Sequence, residues 1–237
     1  MAVRSSDALT TLAELGTEND GLVTTSRAGA FGVAPLDLKR LTDHGHVTRL
    51  RRGVYALPSA PNGPLQELRA AWLEASGPDP WVGDPPDTVV SHLSAAAVHG
   101  LGEVIPHRHE FTSPRRRQTV HDDVRFHRAT LTPSEHTASQ GLAVTTVPRT
   151  LEDLAPVVDL AHFAAMVRAA FSVRDVGMVS LFAALDRCAP AFELPGHAEL
   201  LQKCFHLEGA PPELAAAQGL LRLVQPAGDA ARRVHVT

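Results

Sequence analysis

The sequence has few of the residues on which several classes of protein depend. Only two cysteines, Cys188 and Cys204, occur in 237 residues, too few for a disulfide framework or a four-cysteine metal site. Aromatic residues make up 5% of the chain, so a core must consist mainly of Leu, Val and Ala. No apolar run approaches the roughly 20 residues that span a bilayer. The N-terminal segment also has no apolar block of the signal-peptide kind. These absences predict a cytoplasmic, reduced protein.

Lysine is almost absent, because Lys39 and Lys203 are the only two and arginine carries the remaining positive charge. The 22 Lys+Arg against 26 Asp+Glu give a formal net charge of −4, so the whole chain is not a polycation. Any contact with nucleic acid must therefore come from local patches. GC-rich codons also produce arginine-rich sequences, so clustered arginines alone are a weak indication of phosphate binding.

Residues 1–58 have the pattern of a winged helix-turn-helix. Apolar spacing and turn residues predict helices within 5–16, 24–32 and 36–45, followed by a hairpin within 46–57. The third helix is expected to turn Leu38 and Leu41 inward and to end at Gly45. Such a helix can enter the major groove, while the hairpin, or wing, contacts a phosphate backbone or the minor groove.

The residues predicted to contact DNA lie on three parts of this unit. The start of the second helix can hold phosphate through hydroxyl, guanidinium and backbone N–H groups, the third helix can meet bases or phosphates, and the wing adds guanidinium groups. The predicted DNA-binding residues are Thr24, Thr25, Arg27, Lys39, Arg40, His44, Arg49, Arg51 and Arg52.

Positive charge is concentrated between Lys39 and Arg52, where five basic residues accompany one acid, Asp43. If about four of them neutralised phosphates, the affinity would fall with salt with a log–log slope near −4. The alternative is an ordinary solvated strand edge that discourages pairing with other strands. Simple alternation places Arg49 and Arg51 on one face and Arg52 on the other, which leaves open which arginine faces DNA.

The rest of the chain is predicted to contain a linker with a connecting helix, residues 59–87, and a mixed α/β domain, residues 88–237. Strand-like segments at 109–113, 124–129 and 142–147 precede helices that extend to a last one predicted at 212–224. The predicted fold class is therefore α+β, with an N-terminal winged helix-turn-helix and a larger mixed α/β domain that ends in helices.

A second basic stretch lies within this larger domain. It is a candidate second nucleic-acid surface, and the alternative is a solvated hairpin rim. Its arginines are Arg115, Arg116, Arg117, Arg125 and Arg128.

Candidate catalytic and metal-binding residues do not form a known motif. His92, Ser94 and His99 fall on a predicted helix, without a G-x-S-x-G elbow, an H-E-x-x-H motif or an acidic third ligand. Glu199 and Lys203 have the wrong spacing for a D…E-x-K nuclease. We therefore expect capping and packing roles here, no metal, no cofactor and no enzymatic activity.

Residues 21–58, 89–104 and 144–155 resemble the AbiEi family, the antitoxins of bacterial abortive-infection, type IV toxin–antitoxin pairs. The resemblance implies a repressor of its own operon that binds inverted repeats, as a dimer on DNA, through the winged domain. It also implies that the C-terminal domain counters a toxin with a nucleotidyltransferase fold, often without a stable complex. By position, the implied DNA contacts fall on Lys39, Arg40, His44, Arg49, Arg51 and Arg52.

The sequence thus predicts a DNA-binding transcriptional autorepressor and antitoxin. Two alternatives stay open. One is an enzyme acting on nucleic acid, with the winged unit as a targeting module and a site among His92, Asp122 and Asp123. The other is a transcriptional regulator that senses a small ligand and has no toxin.

Overall fold

The computed structural model describes residues 5–78, 80, 83–212 and 214. In this part of the chain, a winged N-terminal unit and a five-stranded sheet share one hydrophobic cluster, and a group of helices follows the sheet. The helices are α1 (Ser5–Gly16), α2 (Thr25–Ala30), α3 (Pro35–Asp43), α4 (Pro64–Ser76), α5 (His92–His99), α6 (Val147–Leu154), α7 (Leu160–Ala170), α8 (Met178–Cys188) and α9 (His197–Glu208). The strands are β1 (Leu22–Thr24), β2 (Thr48–Arg51), β3 (Val54–Ala56), β4 (Val89–Val90), β5 (His109–Ser113), β6 (Val124–Arg128), β7 (His136–Ser139) and β8 (Leu142–Thr145).

The N-terminal unit has the predicted order of helices and hairpin. Leu38 and Leu41 of α3 are buried with Leu12 of α1, which confirms the inward face predicted from their spacing. The three-stranded sheet has the order β1-β3-β2 with antiparallel pairs. Strand β1 was not predicted, because it is three residues long and its Thr24 also caps the following helix.

A β-bulge in the wing overturns the simple alternation predicted for its arginines. Arg49 pairs with Tyr55, but Arg51 pairs with Val54, so the register shifts between the two arginines. An extra residue in one strand changes the faces of the residues that follow it. As a result, Arg49 and Arg52 are exposed, whereas Arg51 turns toward the body of the protein.

The larger sheet has the strand order β6-β5-β4-β8-β7. The pairs β5–β6 and β4–β8 are parallel, and β4–β5 and β7–β8 are antiparallel. Strands predicted at 109–113, 124–129 and 142–147 are present as β5, β6 and β8. The edge strand β7 was missed because its sequence, His-Thr-Ala-Ser, has no apolar alternation.

Helix α4 is part of the core as well as a connection. Its Trp72 is fully buried and donates a hydrogen bond from Nε1 to the Thr88 carbonyl at 2.9 Å. One hydrophobic cluster contains Trp72 together with Val54 of the wing and Val89 of the larger sheet. The predicted division at residue 58 therefore crosses a continuous core.

A second cluster joins α5 to the C-terminal helices. Phe163, Ala164 and Val167 of α7 are buried there, whereas Met178 at the start of α8 is 40% exposed. The helix predicted at 212–224 falls almost entirely outside the described residues. Within the described ranges, no helix is long and apolar enough to cross a membrane.

Candidate nucleic-acid interface

The start of α2 is fixed to the turn of the wing. The Thr24 hydroxyl caps α2 by accepting a hydrogen bond from the Arg27 N–H at 3.1 Å. Thr25 donates to the Gly53 carbonyl through both its backbone N–H, at 2.8 Å, and its hydroxyl, at 3.4 Å. The Arg27 guanidinium lies 4.8 Å from the centre of the Phe31 ring. These residues therefore orient α2 and the wing relative to each other.

Helix α3 presents a polar stripe whose charges are balanced within the helix. Lys39 Nζ pairs with Asp43 at 2.8 Å, and Arg40 pairs with Asp37 at 3.5 Å. His44 Nδ1 contacts the Arg40 carbonyl at 2.7 Å, near the end of the helix. Lys39, Arg40 and His44 are exposed at the predicted positions, but the helix offers little net positive charge in this state.

The wing presents Arg49 and Arg52, but not Arg51, to solvent. Arg51 lies 3.5 Å from Glu74 of α4 and also forms an ion pair with Asp123, and its side chain is 12% exposed. Arg49 and Arg52 line a groove of about 880 Å³ between the wing and the loop of residues 114–123 that joins β5 to β6. We call this space the wing groove and the segment the β5–β6 loop. Thr119 and His121 of the loop form its opposite side.

The five arginines of the second basic stretch do not form one surface. Arg115 and Arg116 are exposed in the β5–β6 loop. The half-buried Arg117 donates hydrogen bonds to the Thr88 hydroxyl, at 2.7 Å, and to the Ala75 carbonyl, and lies 4.9 Å from the centre of the Phe126 ring. Arg125 and Arg128 are exposed on the edge strand β6, three residues apart and therefore directed to opposite faces.

The structure places His92 in a buried polar cluster that the sequence did not reveal. The His92 and His127 rings stack with their centres 3.4 Å apart, and His127 Nε2 contacts Glu110 Oε1 at 3.1 Å. Glu110 also accepts a hydrogen bond from the Leu93 N–H at 3.0 Å, at the start of α5. The cluster is assembled from β5, β6, α5 and α6, and only the isolated histidines were visible as sequence signals.

The geometry of this cluster differs from a nucleophilic relay. His92 Nδ1 lies 3.0 Å from the Ser91 hydroxyl and 3.8 Å from Asp153 Oδ2, so both groups lie near the same ring nitrogen. A Ser-His-Asp relay requires them on opposite nitrogens. The Ser94 hydroxyl donates a hydrogen bond to the Arg108 carbonyl and accepts one from the Glu110 N–H. His99 Nε2 contacts the Thr145 carbonyl at 2.7 Å.

Burial shifts the protonation of the cluster. It lowers the pKa of His92 from 6.5 to about 4, with the neighbouring His127 adding to the shift. Burial also raises the pKa of Asp153. For Glu110, burial acts to raise the pKa, but the hydrogen bonds from His127 and the Leu93 N–H outweigh it and hold the value below the ordinary one.

The alternative site among His92, Asp122 and Asp123 is not assembled. Asp123 pairs with Arg51 and lies 3.8 Å from His109, whereas His92 stacks on His127 at the other end of β6. In the described part of the chain, no group of three or more His, Cys, Asp or Glu side chains could hold a metal ion.

Residues 12–58 match the family described as "Transcriptional regulator, AbiEi antitoxin". The match covers most of the winged unit and confirms the resemblance predicted for this part of the chain. The chain is thus of mixed α/β structure with an N-terminal domain of the helix-turn-helix type, similar to DNA-binding antitoxin regulators. No curated protein matches it.

Proposed function

We propose, on the premise of this family match, that the protein is an autorepressor that binds operator DNA with inverted repeats and an antitoxin that counters a nucleotidyltransferase-fold toxin. The observation that carries the DNA-binding part is the wing. Arg49 and Arg52 are exposed there, and residues 44–58 contain no acidic residue. Two guanidinium groups held on a short hairpin fit a phosphate backbone better than they fit a neutral surface.

In the proposed complex, α3 enters the major groove and the wing contacts phosphates beside it. Lys39 exchanges its partner Asp43 for a DNA group at little cost, because both side chains of this pair are exposed. Arg40, itself 59% exposed, exchanges its 3.5 Å contact with the largely buried Asp37 for a DNA group. Thr24, Thr25 and Arg27 hold the α2–wing junction next to the backbone, and His44 lies at the far end of α3.

The β5–β6 loop extends this interface. The wing groove places the loop directly beside Arg49 and Arg52, and the exposed Arg115 and Arg116 belong to the same loop. Among the residues that the structure describes, the ion-pair partner of Arg115 is Asp87, at the long distance of 3.9 Å, and the Arg115 side chain is 80% exposed. We therefore include Arg115 and Arg116 in the DNA-binding surface and leave out Arg51 and Arg117, whose guanidinium groups are held by the protein.

A gel shift with the DNA upstream of the protein's own gene tests the repressor function. The double variant Arg49→Ala/Arg52→Ala should bind at least tenfold more weakly, since each arginine contributes a phosphate contact. The matched control is Arg168→Ala/Arg174→Ala, which removes two exposed arginines of the C-terminal helices and their following turn. Equal affinity of the wing variant and the control would contradict the proposed interface.

Co-expression tests the antitoxin function separately. We expect the full chain to restore growth of cells that express an adjacent nucleotidyltransferase gene, and the Arg49→Ala/Arg52→Ala variant to retain this rescue if the C-terminal domain carries it. A repressor that binds its operator but never rescues growth would favour the ligand-sensing regulator.

A further inference from the structure

Leu36 is a large apolar side chain exposed at the start of the helix proposed to enter the major groove. It is 57% exposed and occupies the second position of α3, after Pro35. Phe31, at the end of α2, is 52% exposed, but its ring is covered on one side by Arg27. Isolated exposed apolar residues are common on protein surfaces, so exposure alone assigns no role to Leu36.

The position of Leu36 on α3 supplies the second observation. Leu36, Lys39, Arg40 and Asp43 follow the i, i+3, i+4, i+7 spacing of one helical face, opposite the buried Leu38 and Leu41. Leu36 is at the N-terminal end of this face, and the N-terminal residues of a recognition helix are those that contact base edges.

The charges around Leu36 favour DNA over a protein as the group that covers it. The charged residues of this face are paired within α3, Lys39 with Asp43 on the same face and Arg40 with Asp37 beside it. The net positive charge of the unit therefore lies on the wing, in Arg49 and Arg52, and it complements a polyanion.

We propose that Leu36 contacts the 5-methyl group of a thymine and so selects thymine at one position of each operator half-site. In unmodified DNA, the thymine methyl is the apolar group that base pairs present in the major groove, where the other edge groups are hydrogen-bond donors and acceptors. Among the groups on the base edges of the major groove, the thymine methyl is the one against which Leu36 can bury apolar surface and so gain free energy. This inference rests on the proposed function.

Deoxyuridine substitution tests the proposal, because it removes the methyl group and keeps every hydrogen-bonding group of the base. The full chain first selects duplexes from a randomised, unmodified DNA library, and each thymine of the selected site is then replaced singly by deoxyuridine. At one thymine per half-site, we expect the affinity to fall about three- to fivefold, the effect of burying roughly one methyl group.

The variant Leu36→Ala should bind the selected site more weakly and lose its response to deoxyuridine at that thymine. The matched control is Val179→Ala, since Val179 also occupies the second position of a helix, α8, and is 85% exposed. It should keep both the affinity and the deoxyuridine response. Circular dichroism of both variants should match the original protein, because neither side chain is buried.

Four outcomes would overturn the proposal. If no deoxyuridine substitution changes the affinity, or if Leu36→Ala keeps the full deoxyuridine penalty, Leu36 does not read a methyl group, although DNA binding stands. If Leu36→Ala changes only self-association in sedimentation, Leu36 belongs to a contact between copies. Failure to enrich any sequence would overturn the proposed function and this inference together.

Discussion

Arg51 of the wing forms an ion pair with Asp123, the residue immediately before strand β6. Glu74 of helix α4 lies 3.5 Å from the same guanidinium group, which is 12% exposed. One side chain of the winged unit is thereby bound to the connecting helix α4 and to the larger domain. This contact fixes the wing beside the β5–β6 loop, so we expect Arg51 to position the proposed DNA-binding surface and not to contact DNA itself.

We predict that Arg51→Ala destabilises the protein by about 1–3 kcal/mol, because it leaves Asp123 and Glu74 without their partly buried partner. Urea unfolding followed by circular dichroism measures the change. Arg52→Ala is the matched control, since the neighbouring arginine is exposed and should change stability by less than about 0.5 kcal/mol. Equal losses in the two variants would show that the contacts of Arg51 contribute nothing special.

The salt dependence of the DNA affinity distinguishes the wing arginines that contact phosphate from Arg51. In titrations between 50 and 200 mM salt, Arg49→Ala and Arg52→Ala should each reduce the log–log slope by about 0.9, the effect of one phosphate contact. Arg51→Ala should leave the slope unchanged, whatever it does to affinity through the wing's position. A lower slope for Arg51→Ala would return Arg51 to the DNA contacts predicted from the sequence.

The sequence predicted the winged unit well because its signals are local. Helical spacing put Leu38 and Leu41 inside, and the Gly53 turn marked the hairpin. The wing arginines could not be assigned in the same way, because the bulge between Arg49 and Arg51 is visible only in the pairing with β3. This one-residue shift reversed the face of Arg51, one of the nine residues predicted to contact DNA.

The larger domain was predicted less completely, because its polar groups meet across long distances in the sequence. The contact between His127 and Glu110 joins two strands, and His92 reaches them from the start of α5. His92 itself has a positive φ of 53°, a conformation that the neighbouring residues of the sequence do not predict. In the sequence, Arg117 is one of three equivalent arginines, and it is distinguished in the fold by its hydrogen bonds to Ala75 and Thr88 and its contact with the Phe126 ring.

The β5–β6 loop offers a direct comparison of adjacent arginines. Arg117→Ala should lower the free energy of unfolding by about 1–3 kcal/mol, since it removes two hydrogen bonds and a ring contact from a half-buried site. Arg116→Ala should leave stability unchanged and weaken DNA binding modestly. Thermal unfolding and gel shifts on both variants test this division, and destabilisation by Arg116→Ala alone would reverse it.

Acid should destabilise the protein through His92. Its pKa is about 4 in the folded protein and near 6.5 when unfolded, so the unfolded chain binds the extra proton first as the pH falls. The stability from His92 is therefore complete above about pH 6.5 and is lost toward pH 4, with about 2 kcal/mol lost between pH 7 and 5. Glu110, whose pKa is also lowered, loses its stabilising contribution at still lower pH. Asp153 has the opposite effect, because its raised pKa makes its protonation stabilise the folded protein as the pH falls.

The variant His92→Asn isolates this contribution, because asparagine tolerates positive φ and does not titrate. Urea unfolding at pH 7 and pH 5 should show a smaller pH effect for His92→Asn than for the original protein. His162→Asn is the control, since the His162 side chain is 73% exposed. An unchanged pH effect in His92→Asn would contradict the role assigned to His92.

Arg69 of α4 joins the winged unit to the larger domain at a second point. Its guanidinium pairs with Asp20 at 2.7 Å and donates a hydrogen bond to the Gln140 carbonyl, and the side chain is 2% exposed. We expect Arg69→Ala to cost about 3–5 kcal/mol, since it empties a buried space and removes both contacts. Arg69→Met refills most of the space and should recover part of the loss. Asp20→Asn should cost less than Arg69→Ala, because asparagine at this 58% exposed position can still accept a hydrogen bond from the buried Arg69. If Asp20→Asn proves as costly as Arg69→Ala, the ion pair would hold the two units together and the packing of the Arg69 stem would matter little.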